Sequence, residues 1–135
     1  MEDLKINVKI KISLLWVAVM FCYAYADILA HMRSDILEQF LAGEVGGITI
    51  TPLTLLGSAI LMVIPIIMIF LSLALKAKVN RWANIILGII YSGIILFTML
   101  MTGGGWFYYY IFAVVELVFT VLIVWYAWKW PKQEG

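Results

Sequence analysis

Four stretches of the chain are almost free of charge, and each is close to the roughly 20 residues a helix needs to cross hydrocarbon. They run from Ile12 to Ala30, Pro52 to Leu75, Ala83 to Met101 and Trp106 to Trp128. A membrane-spanning strand would alternate apolar and polar residues and would need many partners to close a barrel, whereas these runs are apolar on every side. The expected fold is therefore all-α: an integral membrane bundle of four transmembrane helices forming one domain over residues 1–135. Composition agrees, because 65% of the residues are hydrophobic and 13% charged, against about half and about a quarter in soluble domains. A net charge of +1 offers no basic face for phosphate neutralisation, which removes nucleic acid as a partner.

The short flanks of the spans set an expected orientation. Lys5, Lys9 and Lys11 precede the first span, Lys76, Lys78 and Arg81 join the second to the third, and Lys129 and Lys132 follow the fourth. The opposite side holds Arg33 alone, so the positive-inside bias places both termini in the cytoplasm of a plasma-membrane protein. Thr51 before Pro52 reads as an N-cap with proline at the first helical position, and Asn80 reads as a cap for the third span. Trp82, Trp106, Trp125, Trp128 and Trp130 fall at span ends, where amphipathic rings favour the headgroup zone. The sequence Ala24-Tyr25-Ala26 imitates a secretory cleavage site, but the apolar run continues through Ile28, Leu29 and Ala30, so a span is expected there.

The first outer loop, 31–51, is long enough to carry structure. Ile36, Leu37, Phe40 and Leu41 fall opposite Asp35, Glu38 and Gln39 on a short amphipathic helix, and Gly43, Gly46 and Gly47 make a flexible return. Ala18, Cys22, Ala26 and Ala30 recur every four residues as a stripe of small side chains, with Gly88 and Ser92 on the third span as its expected contact. The same pattern serves homo-oligomers, and both uses stay open. Cys22 reads as a packing residue, with no thiol partner for a disulfide or metal site. Pro65 cannot donate to the Leu61 carbonyl, which predicts a kink and a free acceptor near mid-membrane.

Two acids lie within the spans. Tyr23, Asp27 and His31 are spaced by four and share a face near the outer end of the first helix, where the carboxylate and imidazole could share a hydrogen bond or a proton. A single histidine with one acid is too few ligands for a confident zinc or haem site, so no metal and no cofactor is expected. Glu116 is the sharper signal. It lies about ten residues from the outer end of its helix, or roughly 15 Å deep at 1.5 Å per residue, where a charge costs about 3 kcal/mol or more. It is expected to face protein or water, with Tyr109, Phe112, Phe119 and Thr120 on the same helical face. Such a pocket suits a lipophilic cation, by charge and cation–π attraction, or a quinone-like ring by stacking. Tyr91, Ser92 and Leu61 reach the same depth, which leaves two arrangements: a structural one, with protonated Glu116 donating to the Leu61 carbonyl and accepting from the Tyr91 hydroxyl, and a functional one, with a cavity lined by Tyr109 and Phe112 opening beside Glu116 towards Tyr23 and Asp27.

The stretches Tyr23-Ala24-Tyr25-Ala26-Asp27-Ile28-Leu29 and Asn80-Arg81-Trp82-Ala83-Asn84-Ile85-Ile86 resemble those of a family of short prokaryotic four-span membrane proteins of uncharacterised activity. The general layout is similar to DoxX-like membrane proteins, a resemblance that implies a quinone-linked redox partnership. This chain lacks the thiol pair or bis-histidine site that would support it. Small multidrug transporters also combine four short helices with a membrane carboxylate and aromatics, but the acid here lies in the fourth span instead of the first, leaving an analogy.

The residues together point to a non-enzymatic membrane module that binds or transports a small lipophilic or cationic molecule, coupled to protons through Glu116 and Asp27. A redox or lipid-modifying subunit acting with a partner, and a structural assembly partner, are the alternatives. Membrane lipid is the expected surrounding.

Overall fold

The computed structural model describes residues 4–45, 47–102 and 107–130. Its elements in chain order are helix α1 (Val8–Ala30), helix α2 (Ser34–Leu41), strands β1 (Glu44–Val45) and β2 (Ile48–Thr49), and helices α3 (Pro52–Ala74), α4 (Ala77–Thr102) and α5 (Phe107–Trp128). The four long helices are each apolar and long enough to cross a membrane. Their outward surfaces carry large hydrophobic side chains in the open, among them Leu14 at 61%, Phe70 at 67% and Ile111 at 64% exposure. Surfaces of that kind are stable only against hydrocarbon, and they make this a multi-pass membrane protein.

Helix α1 packs against α3 and α5, and α5 packs against α4, whereas α3 and α4 meet sparsely. The start of α1 lies beside the end of α5, with the Lys11 ammonium 5.4 Å from the Tyr126 ring centroid. Arg81, near the start of α4, donates to the carbonyls of Ala127 and Trp128 at 3.0 and 3.3 Å. A cation at the last turn of α5 adds a charged donor where helix carbonyls concentrate partial negative charge. One end of the molecule therefore carries the start of α1, the α3–α4 turn and the end of α5; the other carries α2 and the β-hairpin. They are called the terminal end and the hairpin end below.

Two helices begin earlier than the apolar runs suggest. Asn7 caps α1 by accepting from the Lys9 amide at 2.8 Å, and α4 starts at Ala77. Lysine and arginine are good helix formers whose long stems let the charge reach water, so a charge that ends a hydrophobic run does not end a helix. Asn80 is consequently inside α4 and does not cap it. Thr51 caps α3 as the sequence suggests: its hydroxyl accepts from the Thr54 amide at 3.2 Å, and the Thr54 hydroxyl accepts from the Thr51 amide at 2.7 Å. Helix α3 runs unbroken through Pro65.

The outer loop holds the expected short helix and, in addition, a small antiparallel hairpin pairing Glu44 with Thr49 and Val45 with Ile48. Gly43 and Gly47 adopt φ of +79° and +82°, conformations that glycine takes without steric cost. Gly43 and Gly47 thus hold defined conformations where the sequence suggested a flexible return, and Gly46 lies outside the described residues. Arg33 anchors this region. It pairs with Asp35 at 2.7 Å and donates to the Tyr108 hydroxyl at 3.3 Å, and its hydrogen bond holds the Asp35 carboxyl below the ordinary aspartate range.

The terminal half of the interior is a closed polar network. The Trp16 indole donates to Asn84 Oδ1 at 2.7 Å, which also accepts from the Ser72 hydroxyl at 3.3 Å. Asn84 donates to the backbone and side-chain oxygens of Asn80, and Asn80 donates to the Ser72 carbonyl at 2.7 Å. Each member is buried. With partners for all of them, the network ties α1, α3 and α4 together without leaving a polar group exposed to hydrocarbon. Gly88 and Ser92 form a second seam, against α5: a Cβ on Gly88 would lie 2.5 Å from Val124 Cγ2, and Ser92 donates to the Thr120 hydroxyl at 2.8 Å. These two residues therefore face α5, not the small-residue stripe of α1, because α4 is rotated towards its neighbour in the packing order.

Candidate functional site

The hairpin half of the interior is open where the terminal half is filled. All four long helices contribute to a cavity of about 280 Å³. Helix α1 supplies Tyr23, Ala26 and Asp27, and α3 supplies Leu61 and Met62; Tyr91, Ile94 and Thr98 come from α4, and Tyr109, Phe112, Ala113 and Glu116 from α5. The space exists because α3 leans on α1 and α4 on α5, so the two pairs separate where no polar network draws α3 and α4 together.

The floor is aromatic. The Tyr91 hydroxyl donates to the Leu61 carbonyl at 2.7 Å, bridging α4 to α3, and Trp16 packs edge-on against the Tyr91 ring with centroids 5.9 Å apart. Trp16 is fully buried, so this layer separates the cavity from the polar network behind it. The proline-freed carbonyl thus takes its hydrogen bond from Tyr91, and the structural alternative, a bond from Glu116 to Leu61, is not formed. A phenol on the facing helix reaches the carbonyl directly, leaving the carboxyl without a competing structural duty.

Glu116 is the tenth residue of α5 and is 6% exposed. It faces the cavity, not the lipid surface. No described residue makes a hydrogen bond to its carboxyl, yet no buried side-chain oxygen among the described residues lacks a partner. The carboxyl oxygens are therefore reachable from the cavity. Asp27 is an exposed residue that lines the same cavity, which puts one acid at the mouth and the other deep within. Tyr23 lies one turn below Asp27 on α1 and lines the wall between them.

His31 does not belong to the cavity lining. Its Nδ1 donates to the backbone carbonyl of Asp27 at 2.6 Å and its ring lies 4.8 Å from that of Phe40. The expected sharing of a proton between the two side chains is not formed, because the ring turns to the Asp27 backbone carbonyl, which also accepts from the His31 amide at 3.3 Å. Phe119 and Thr120 also leave the predicted pocket: Phe119 packs on the hydrophobic core, and Thr120 is engaged with Ser92 and the Leu117 carbonyl. The sequence analysis missed Thr98, seven residues after Tyr91 and on the same helical face, and Ala26, whose small size creates space instead of a helix contact. Among the described residues no group of three or more His, Cys, Asp or Glu could hold a metal ion, and Cys22 is a buried free thiol.

Fold and site together define a small multi-pass membrane protein with an acid-bearing, aromatic-lined cavity in one half of its interior. The chain belongs to DUF6326, a family of unknown function whose model matches residues 3–135. No curated protein matches the chain. No solved structure matches it.

Proposed function

We propose that this protein binds a small lipophilic cation in the hairpin-end cavity and moves it across the plasma membrane in exchange for protons carried by Glu116. The observation that carries the reading is the Glu116 carboxyl, buried at mid-helix, facing an apolar cavity and bonded to no described residue. A carboxylate in that setting is costly unless a cation or proton accompanies it, and the rings of Tyr23, Tyr109 and Phe112 offer cation–π surfaces beside it. The closed aromatic floor supports a one-sided binding state over an open channel. Both termini are assigned to the cytoplasm by the lysine and arginine bias, so the cavity faces the outside. The DoxX-like layout favours a redox role only through architecture, and nothing in the cavity strengthens it.

Benzyltrimethylammonium and its uncharged isostere neopentylbenzene test the reading on the purified protein. The cation is expected to bind at least about tenfold more tightly than the hydrocarbon. Glu116→Gln, which keeps shape and hydrogen bonding, should abolish that preference and, in vesicles, proton-gradient-driven uptake. Equal binding of the two compounds would overturn the cation reading and favour an uncharged ring such as a quinone. Full cation binding by Glu116→Gln would remove Glu116 from the site.

A further inference from the structure

The cavity has an open side. Its α3 and α4 walls meet sparsely, and the Tyr91–Leu61 hydrogen bond that floors it is also the sill of a gap between them. From that bond towards the hairpin end, residues 55–61 of α3 are all exposed. They make about two turns, so the helix is open there on every side, the side towards α4 included. Leu61 lines the cavity and is itself 45% exposed, which makes the cavity continuous with the membrane-facing surface. Gly57 lies one turn before Leu61 on the same face of α3, and a Cβ built on it would meet nothing within 4 Å. Glycine weakens a helix and in spanning helices usually lets another backbone approach. No helix of this chain uses the space that Gly57 leaves.

Size and charge select what passes through the gap. About 280 Å³ is less than the roughly 300–1,000 Å³ of pockets that enclose a drug-sized ligand, so a longer lipophilic cation must leave part of itself outside. The acids Asp27 and Glu116 line the cavity with no lysine or arginine beside them, which keeps the charged part within. We propose that the ligand is a single-chain ammonium amphiphile dissolved in the membrane, with its head beside Glu116 and its hydrocarbon chain passing over Gly57, between α3 and α4, into the surrounding lipid. The route rests on the cation reading of the cavity and gives the ligand a shape which that reading leaves open. Along it the chain stays in hydrocarbon, whereas entry past Asp27 at the mouth would draw the chain through water.

Benzyltrimethylammonium and benzyldimethyloctylammonium share a head and differ in the chain. Their binding to the purified protein and to Gly57→Leu in one detergent tests the route, because the micelle takes up each probe equally in both cases. Gly57 is outside the cavity lining, so Gly57→Leu should bind the trimethyl compound as the unmodified protein does. It should bind the octyl compound about tenfold or more weakly. Unchanged affinity for the octyl compound, or equal losses for both probes, would overturn the route and leave the cation reading standing. Failure of both probes to bind the unmodified protein would overturn the cation reading and the route with it. If light scattering shows that Gly57→Leu lowers the number of copies per particle, the Gly57 face belongs to a second copy and the route is overturned. Should the variant fail to fold, an octyl probe with a diazirine at its chain end tests the unmodified protein. Its labels should fall on residues 54–61 and 94–98 and disappear under excess benzyltrimethylammonium. Labels spread over outward residues such as Leu14, Phe70 and Ile111, and unaffected by that competitor, would overturn the route.

Discussion

The hydroxyl of Tyr91 donates to the backbone carbonyl of Leu61 at 2.7 Å, the carbonyl that Pro65 leaves without a helical donor four residues on. One hydrogen bond thus repairs a defect in α3, joins α3 to α4 where they otherwise meet sparsely, and forms the floor of the cavity.

Tyr91→Phe is expected to destabilise the protein in detergent by about 1 kcal/mol, the usual worth of a lost intramembrane hydrogen bond. Pro65→Ala restores an amide that can donate to Leu61, so Tyr91→Phe should cost clearly less in that background. A double-mutant cycle by thermal or denaturant unfolding measures the difference. Equal costs in both backgrounds would show that the carbonyl does not depend on the phenol.

Gly88→Ala should destabilise by about 1–3 kcal/mol, because the new methyl would meet Val124 at 2.5 Å and push α4 from α5. Val124→Ala opens room and should recover most of the loss. Gly93→Ala is the control: nothing lies within 4 Å of a Cβ built there, so it should unfold as the unmodified protein does or slightly later.

Ala26→Leu separates packing from function. The small-residue stripe suggests a close helix contact at this position, but the structure turns Ala26 to the cavity. The leucine should therefore lower benzyltrimethylammonium affinity by about tenfold or more while leaving unfolding nearly unchanged. A large loss of stability with unaltered binding would place Ala26 at a helix seam.

Orientation is tested by impermeant thiol labelling of intact cells. In a Cys22→Ser background, Glu44→Cys in the hairpin should react from outside, and Lys78→Cys at the start of α4 should react only after permeabilisation. The reverse labelling would invert the topology drawn from the positive-inside bias.

The sequence by itself determined how many helices are fit to cross a membrane, roughly where they lie, and how α3 begins. These are local properties: apolar length sets a span, and Thr51 caps α3 through a residue three positions away. It also singled out Glu116 by depth, since a carboxyl mid-way along an apolar helix is conspicuous in any fold. What it could not determine was the rotation of each helix about its axis. Helices that are apolar all round show no stripe to mark their inward face, and Tyr91, Ser92 and Glu116 all reach the same layer. Only the tertiary structure decided that Tyr91 takes the Leu61 carbonyl, that Ser92 turns to Thr120, and that Glu116 is left facing a cavity. Asn80, read from the sequence as a helix cap, lies with Asn84 on an inner face of α4, and their partners Trp16 and Ser72 come from other helices. Those pairings depend on which helices become neighbours, and no local pattern in the chain encodes that choice.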